Sequence, residues 1–354
     1  MPNFVTIKDI AKALNISVST VSRALRNTFD VSQETRKKVQ DMAAALKYKP
    51  NFNATGLANG STHNIGIVIP FITNYYFSTV ITGIQETAYK NGYNIILFVT
   101  NDSPDREKSI LQDLTLSSLD GLLISTCCDD CSALEDLQQA NMPIVFFDRV
   151  NDQLKVSKVM QDDYNGAYQA TSHLIEEGYT KIAHLGGPKG QAFSERRLSG
   201  YLDALKRHCL PIQNEWMQHT GFSQEQGEQD METLLSLPSR PNAVFAINDR
   251  KAIGACVTLK KKGLLIGEQI GVIGFTNDPT SSLISPSLST IAEPAFEIGR
   301  LSCELLLKHI QKKNLTPTEL VLPGKLIIRD STKRKKRKES LLPLVNLPST
   351  PFFP

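Results

Sequence analysis

From residue 64 onward, short apolar runs alternate with longer amphipathic segments, and this rhythm restricts the chain to one class of fold. Runs at 65–69, 93–99, 121–125 and 144–147, and one ending near residue 162, read as strands. Segments at 77–91, 105–117 and 131–140 read as the helices between them. A second set follows, with helices at 164–177, 193–207, 224–237 and 249–262 and strands at 181–185, 243–247 and 270–275. The strands are nearly continuous in apolar residues, which marks strands covered on both faces, as in parallel sheets flanked by helices. Two similar α/β subdomains are implied, and 354 residues with 41% apolar content can bury cores of that size.

The first sixty residues are of another kind. In residues 6–27, TIKDIAKALNISVSTVSRALRN, Thr6 and Asp9 form a helix-start pattern, and Ile7, Ile10, Ala11 and Leu14 make one apolar stripe. Asn15 and Ile16 break the pattern, and Ser17 can cap a second helix over 18–25. Its Val21, Ala24 and Leu25 point inward and leave Val18, Ser19, Thr20, Ser22 and Arg23 outside. A third helix, capped by Ser32 and carrying Val39, Met42 and Leu46, completes a small bundle. An ordinary helical hairpin would show the same stripes. Residues 1–60, however, hold nine Lys/Arg against four Asp/Glu, a surplus that suits a polyanion. Pro50 marks a boundary. The segment after it is too short for a helix stable by itself, so it is either a flexible linker or a helix that needs a partner.

Three stretches, residues 6–27, residues 31–51 (VSQETRKKVQDMAAALKYKPN) and residues 53–62 (NATGLANGST), together resemble the DNA-binding headpiece of the lactose-repressor/galactose-repressor (LacI/GalR) family of bacterial transcription regulators. The resemblance implies a small all-α helix-turn-helix headpiece (1–49), a hinge (50–61) and an α/β two-lobed core with parallel sheets, like periplasmic binding proteins (62–331). It implies that Val18, Ser19 and Arg23 face base edges, with Thr6, Ser17, Thr20, Ser22 and Asn27 near phosphates. It also implies that the hinge, with Asn51, Ala54, Gly56 and Leu57, becomes helical when two copies pack on DNA. Ala54 and Gly56 would let backbones approach the minor groove, and Leu57 would wedge between base pairs. The lobes would be joined by crossings near residues 162, 291 and 320–323.

Ligands of open α/β sheets bind at the carboxyl edges of the strands. Tyr76 and Phe77 follow the first strand, Phe77 being equally suited to core packing. By the resemblance, Phe222 stacks on an effector and Arg197 holds its oxygens, with Arg196 a competing assignment. Asn248 offers both a donor and an acceptor. Asp148 and Asp162 occupy comparable strand ends, where helix capping is the alternative. Where relatives commonly place an aspartate after a late Gly-Phe, this chain has Thr276, so Asn277 or Asp278 is expected to substitute, or the ligand lacks the hydroxyls that the carboxylate would grip.

Charge is uneven: +5 in 1–60, −7 in 61–332 and +5 in 333–354, so the body is not the polyanion-binding part. Residues 332–354, a run of six basic residues followed by a proline-rich stretch, read as a disordered extension. The clustered Cys127, Cys128 and Cys131 lack the histidine or second pair that a zinc site needs, and no cofactor is expected. Residues 186–190 are glycine-rich but match no phosphate-binding motif. No run of eighteen apolar residues and no signal-peptide core stand out, so a cytoplasmic protein is expected. The expected function is a homodimeric repressor that binds operator DNA under the control of a small effector, a sugar or related metabolite. A periplasmic-type carbohydrate-binding protein and an enzyme on a doubly wound sheet are the competing classes. The first lacks its signal peptide and the second any catalytic constellation.

Overall fold

The computed structural model describes residues 5–25, 30–48, 61–114, 119–312 and 315–334. Asn27, the hinge positions Asn51, Ala54, Gly56 and Leu57, and the tail from 335 lie outside the described residues. Three helices form the headpiece: α1 (Ile7–Leu14), α2 (Val18–Leu25) and α3 (Gln33–Ala45). Each begins where a short polar side chain can satisfy a free N–H. The Thr6 N–H and hydroxyl both donate to Asp9 at 2.8 Å, Ser17 accepts from the Thr20 N–H at 3.0 Å, and Ser32 from the Thr35 N–H at 3.2 Å. Asn15 turns α1 into α2 in the left-handed region (φ 49°), which asparagine tolerates. Ile10, Val21, Ala24 and Val39 are fully buried between the helices.

The body contains two six-stranded sheets. The first uses β1 (Asn64–Ile69), β2 (Asn94–Val99), β3 (Gly121–Ile124), β4 (Ile144–Phe147), β5 (Ser157–Gln161) and β11 (Glu319–Leu322). Their order is β11-β5-β4-β3-β1-β2, parallel throughout. The second uses β6 (Ile182–Gly186), β7 (Met217–His219), β8 (Ala243–Ala246), β9 (Gly271–Thr276), β10 (Ser289–Ala292) and β12 (Lys325–Ile327). Its order is β12-β10-β9-β8-β6-β7, with only β12 antiparallel to its neighbour. The helices are α4 (Tyr75–Lys90), α5 (Pro104–Leu114), α6 (Ser132–Gln139), α7 (Asp163–Glu176), α8 (Ala192–Arg207), α9 (Gln224–Ser236), α10 (Asp249–Lys261), α11 (Thr280–Leu283) and α12 (Ala295–Gln311). The chain leaves the first sheet after β5, returns after β10 into α12, which packs on α4, and crosses once more between β11 and β12. Each sheet is covered on both faces, giving two apolar layers per lobe. This explains the continuous strands β3 and β4, every residue of which is buried.

The helix pairs touch closely. A Cβ on Gly83 of α4 would lie 2.2 Å from the Phe296 carbonyl oxygen of α12, and one on Gly299 of α12 would lie 2.1 Å from the Val80 carbonyl oxygen. The longest helix, α12, has no counterpart in the expectations from sequence. Ala295, Ile298, Cys303, Leu305, Leu306 and Leu307 are all buried, so its apolar surface is too broad to read as one stripe. Among the described residues no helix is long and apolar enough to cross a membrane, no cluster of three metal-ligating side chains occurs, and the six cysteines are unpaired.

Candidate functional site

On the headpiece, Val18, Ser19 and Arg23 stand exposed on one side of α2, with Thr20 and Ser22 partly exposed beside them. Val21 and Ala24 anchor the opposite side. The Ser17 hydroxyl bonds those of Ser19 (2.7 Å) and Thr20 (2.8 Å), and the Thr6 hydroxyl is engaged by Asp9. Arg23 pairs with Asp30 at 2.8 Å, both side chains about half exposed.

In the body, parallel pairing brings the strand ends of both sheets to one cavity of about 590 Å³, counted with its open mouth. Tyr76 and Phe77 enter it from the start of α4, where Asn74 caps the helix by accepting from the Tyr76 N–H at 3.0 Å. Both rings are also core residues, edge to face at 5.2 Å. Asp148, left-handed (φ 61°) just past β4, lines the floor and accepts from the Ser125 hydroxyl at 3.0 Å. Phe222 faces Phe193 at 5.6 Å. Asn248 caps α10, accepting from the Lys251 N–H at 2.8 Å while its amide donates to the Phe222 carbonyl at 3.1 Å, and so fixes the loop that carries the ring.

Arg197 is buried, its side chain 6% exposed. Nε donates to Asp163 (2.8 Å), Nη1 to the Ile247 carbonyl (2.6 Å) and Nη2 to Glu293 (2.8 Å), and the guanidinium lies 3.6 Å over the Phe275 ring. Arg196 reaches the other oxygen of Asp163 at 3.1 Å and does not line the cavity. Burial pushes the Glu293 carboxyl up to about 7, and Asp148 and Asp163 add to the push against the opposing pull of Arg197. Asp148 is raised for the same reason, burial first. The Tyr76 hydroxyl is buried beside Asp148, and burial together with the Asp148 and Glu293 charges holds its proton firmly.

Two expectations need correction. Asp162 is not in the cavity lining; both its oxygens are taken by Asn165 (3.0 Å from the N–H, 2.6 Å from the amide), so it caps α7. Neither Asn277 nor Asp278 substitutes in this cavity for the absent aspartate. The Asn277 side chain accepts from Arg329 at 2.7 Å, and Asp278 caps α11 through the Thr280 N–H at 2.9 Å. Thr276 does line the cavity, and Glu293 comes in beside it from the end of β10. Glu293, Arg149, Phe193 and Arg250 are cavity residues that sequence reading missed. Glu293 immediately follows the apolar pair Ile291 and Ala292, so the rule that singled out Asp148 could have found it. Arg149 bonds Asp102, and its guanidinium lies 5.3 and 5.7 Å from the Phe193 and Phe222 rings, linking the first lobe to the second.

Comparison with known proteins agrees with this two-part construction. Residues 6–51 match the family model "Bacterial regulatory proteins, lacI family", and residues 62–330 match "Periplasmic binding proteins and sugar binding domain of LacI family". The chain is 35% identical over 335 residues to the probable HTH-type transcriptional repressor ExuR of Bacillus subtilis, covering 93% of this chain and 99% of that one. It is 33% identical over 327 residues to the ribose operon repressor of Haemophilus influenzae, covering 92% and 98%. Among solved structures, the lac repressor dimer bound to operator and the anti-inducer ONPF superposes with a TM-score of 0.83 at 27% identity, covering 94% and 100%. A regulator from Enterococcus faecium with bound ribose superposes at 0.69 and 31% identity, covering 77% and 100%.

Proposed function

Because this chain belongs to the LacI family of bacterial transcription regulators, we propose that it is a homodimeric repressor whose grip on a near-palindromic operator is set by a small metabolite, a sugar or a relative of one, held in the cavity between its lobes. Residues 1–49 read the DNA, 50–61 form the hinge, 62–331 bind effector and dimerise, and 332–354 are a tail. The protein works in the cytoplasm, on the nucleoid. Val18, Ser19 and Arg23 address base edges; Thr6, Ser17, Thr20, Ser22 and Asn27 address phosphates, whose charge the basic headpiece offsets. In the hinge, which includes Asn51, Leu57 wedges the central base step while the small Ala54 and Gly56 let backbones approach the minor groove. Tyr76, Phe77, Asp148, Arg197, Phe222, Asn248 and Thr276 form the effector pocket.

One observation supports this reading above the rest: the cavity lies where the lobes meet, and Arg149 of the first lobe rests on aromatic rings of the second. A ligand there contacts both lobes and so binds their arrangements unequally. Such an inequality is the sole means by which it could move DNA affinity, typically by about 1–3 kcal/mol. The test is operator selection from random DNA with the full chain, followed by anisotropy titration with and without a metabolite panel. Site-specific binding that shifts several-fold with one metabolite is expected; binding without sequence preference, or no shift with any metabolite, refutes the reading.

A further inference from the structure

Where the chain enters the body, one carboxylate gathers the linker. Asp120, half-buried just before β3, accepts from the Ser61 hydroxyl, from the Thr62 N–H at 2.6 Å and hydroxyl at 2.8 Å, and from the His63 N–H at 3.0 Å. The Tyr93 hydroxyl stands beside Ser61 and the same carboxylate. Burial pushes the Asp120 carboxyl up, but the bonds from Ser61, Thr62 and His63 outweigh it and hold the group below its ordinary value. It is therefore ionised at neutral pH, and its bonds are charge-assisted, roughly twice as strong as neutral ones. His63, left-handed at φ 55°, sets its ring 5.1 Å from that of Tyr93, and its carbonyl accepts from the Asn94 N–H at 2.8 Å. Residues 61–63 are thus tied to the starts of β2 and β3 before β1 begins at Asn64. The strand itself needs none of this, since β1 pairs with β2 and β3 through its own backbone. The clasp is also out of reach of any ligand in the cavity. Along β3, at ~3.3 Å per residue, Asp120 lies about 16 Å from Ser125, which bonds Asp148 in the cavity floor.

We propose that Asp120 is a positioning residue for operator binding: it fixes residues 61–63 to the edge of the first sheet, so that the hinge of each copy leaves the body at one set point. This rests on the reading of the chain as a homodimeric operator-binding repressor. In such a dimer the distance and angle between the two hinges, and through them between the two headpieces, decide which half-site spacing fits. Adding one base pair moves a half-site by ~3.4 Å along the duplex and turns it by ~35°. A linker free to pivot at residue 61 would let the headpieces follow that shift, but would lose more chain freedom on settling at the correct site. Clasped at residues 61–63, the headpieces cannot follow, and one spacing is bound best.

The test uses the full chain, the duplex that wild type selects from random DNA, and the same duplex with one base pair inserted at its centre, by anisotropy titration. Wild type should prefer the selected duplex at least tenfold. Asp120→Asn, which keeps the shape but removes the charge and one acceptor, should narrow that ratio threefold or more, almost entirely through weaker binding of the selected duplex. Amide exchange at Thr62 and His63 should quicken at least tenfold in this variant, with the β1 amides unchanged. Ser61→Ala combined with Thr62→Val loosens the clasp from the linker side and should move the ratio the same way, should Asp120→Asn fail to fold. A merely structural role would weaken both duplexes equally and lower the denaturation midpoint, an outcome that overturns the proposal. An unchanged ratio in both variants overturns it too, as does equal binding of the two duplexes by wild type. Those results leave the repressor reading standing, whereas a wild type that selects no duplex at all refutes that reading and the clasp with it.

Discussion

Arg197 is gripped by Asp163, Glu293 and the Ile247 carbonyl at once, so truncating it would do more than remove a contact to a ligand. Arg197→Ala leaves Glu293 buried without its cation and Asp163 with Arg196 alone, and breaking a buried pair from one side costs about 3–5 kcal/mol. The expected outcome is a lowered denaturation midpoint in the absence of any effector, so loss of response in this variant cannot by itself mark a ligand contact. Glu293 has a pH signature. Folded, it keeps its proton up to about 7, against an ordinary 4.5. The folded state therefore binds more protons than the unfolded one between those values, and stability falls as pH rises through that window. Glu293→Gln should stabilise the protein by on the order of 1–3 kcal/mol at pH 8, an advantage that shrinks toward pH 5; denaturant titrations at the two pH values measure it. On the headpiece, the half-exposed Arg23–Asp30 pair is worth less than about 1 kcal/mol, so Arg23 can exchange it for a bidentate grip on guanine worth about 1–3 kcal/mol of discrimination. Arg23→Ala should relax preference at one symmetric pair of operator positions, which a binding matrix would reveal. Residues that follow strands in a recognisable motif, such as Asp148 and Asn248, were legible as cavity candidates from sequence. Glu293, just past β10, was open to the same rule; Arg149 was not, because what brings its guanidinium onto Phe193 and Phe222 is the meeting of two lobes, which no local spacing encodes.

At the scale of elements, boundaries from apolar periodicity fall within a few residues of the observed ones, as for β4, α9 and α10, because both faces of the sheets are covered and the strands need little polar punctuation. Reading failed where strands are three residues long, as with β7 and β12, and where a helix is apolar on much of its circumference, as with α12. The closeness of α4 to α12 was also hidden, although Gly83 and Gly299 are what permit it. With backbone oxygens little more than 2 Å from where a Cβ would stand, neither helix can yield by a side-chain rotation. Gly83→Ala should therefore destabilise the body by about 1–3 kcal/mol or more through overpacking, which calorimetric unfolding of the full chain, wild type against variant, would show.

For the whole molecule, the decisive relation is between a basic three-helix unit and an acidic two-lobed body, a division already visible in the distribution of charge along the chain. Domain-scale composition survives in the sequence, whereas the arrangement of the lobes does not, because it depends on contacts such as Arg149 on Phe193 and Phe222 between residues far apart in the chain. The three passages of the chain between the sheets also bear on synthesis. The first sheet is incomplete until Glu319–Leu322 has joined β5, and the face that α4 shares with Ala295–Gln311 is only partly covered until that helix has packed. A ribosome therefore releases nearly the entire body before either lobe can close, and the emerging N-terminal half must wait with part of an apolar sheet face open to solvent, where a nascent-chain chaperone or a protease would find it first.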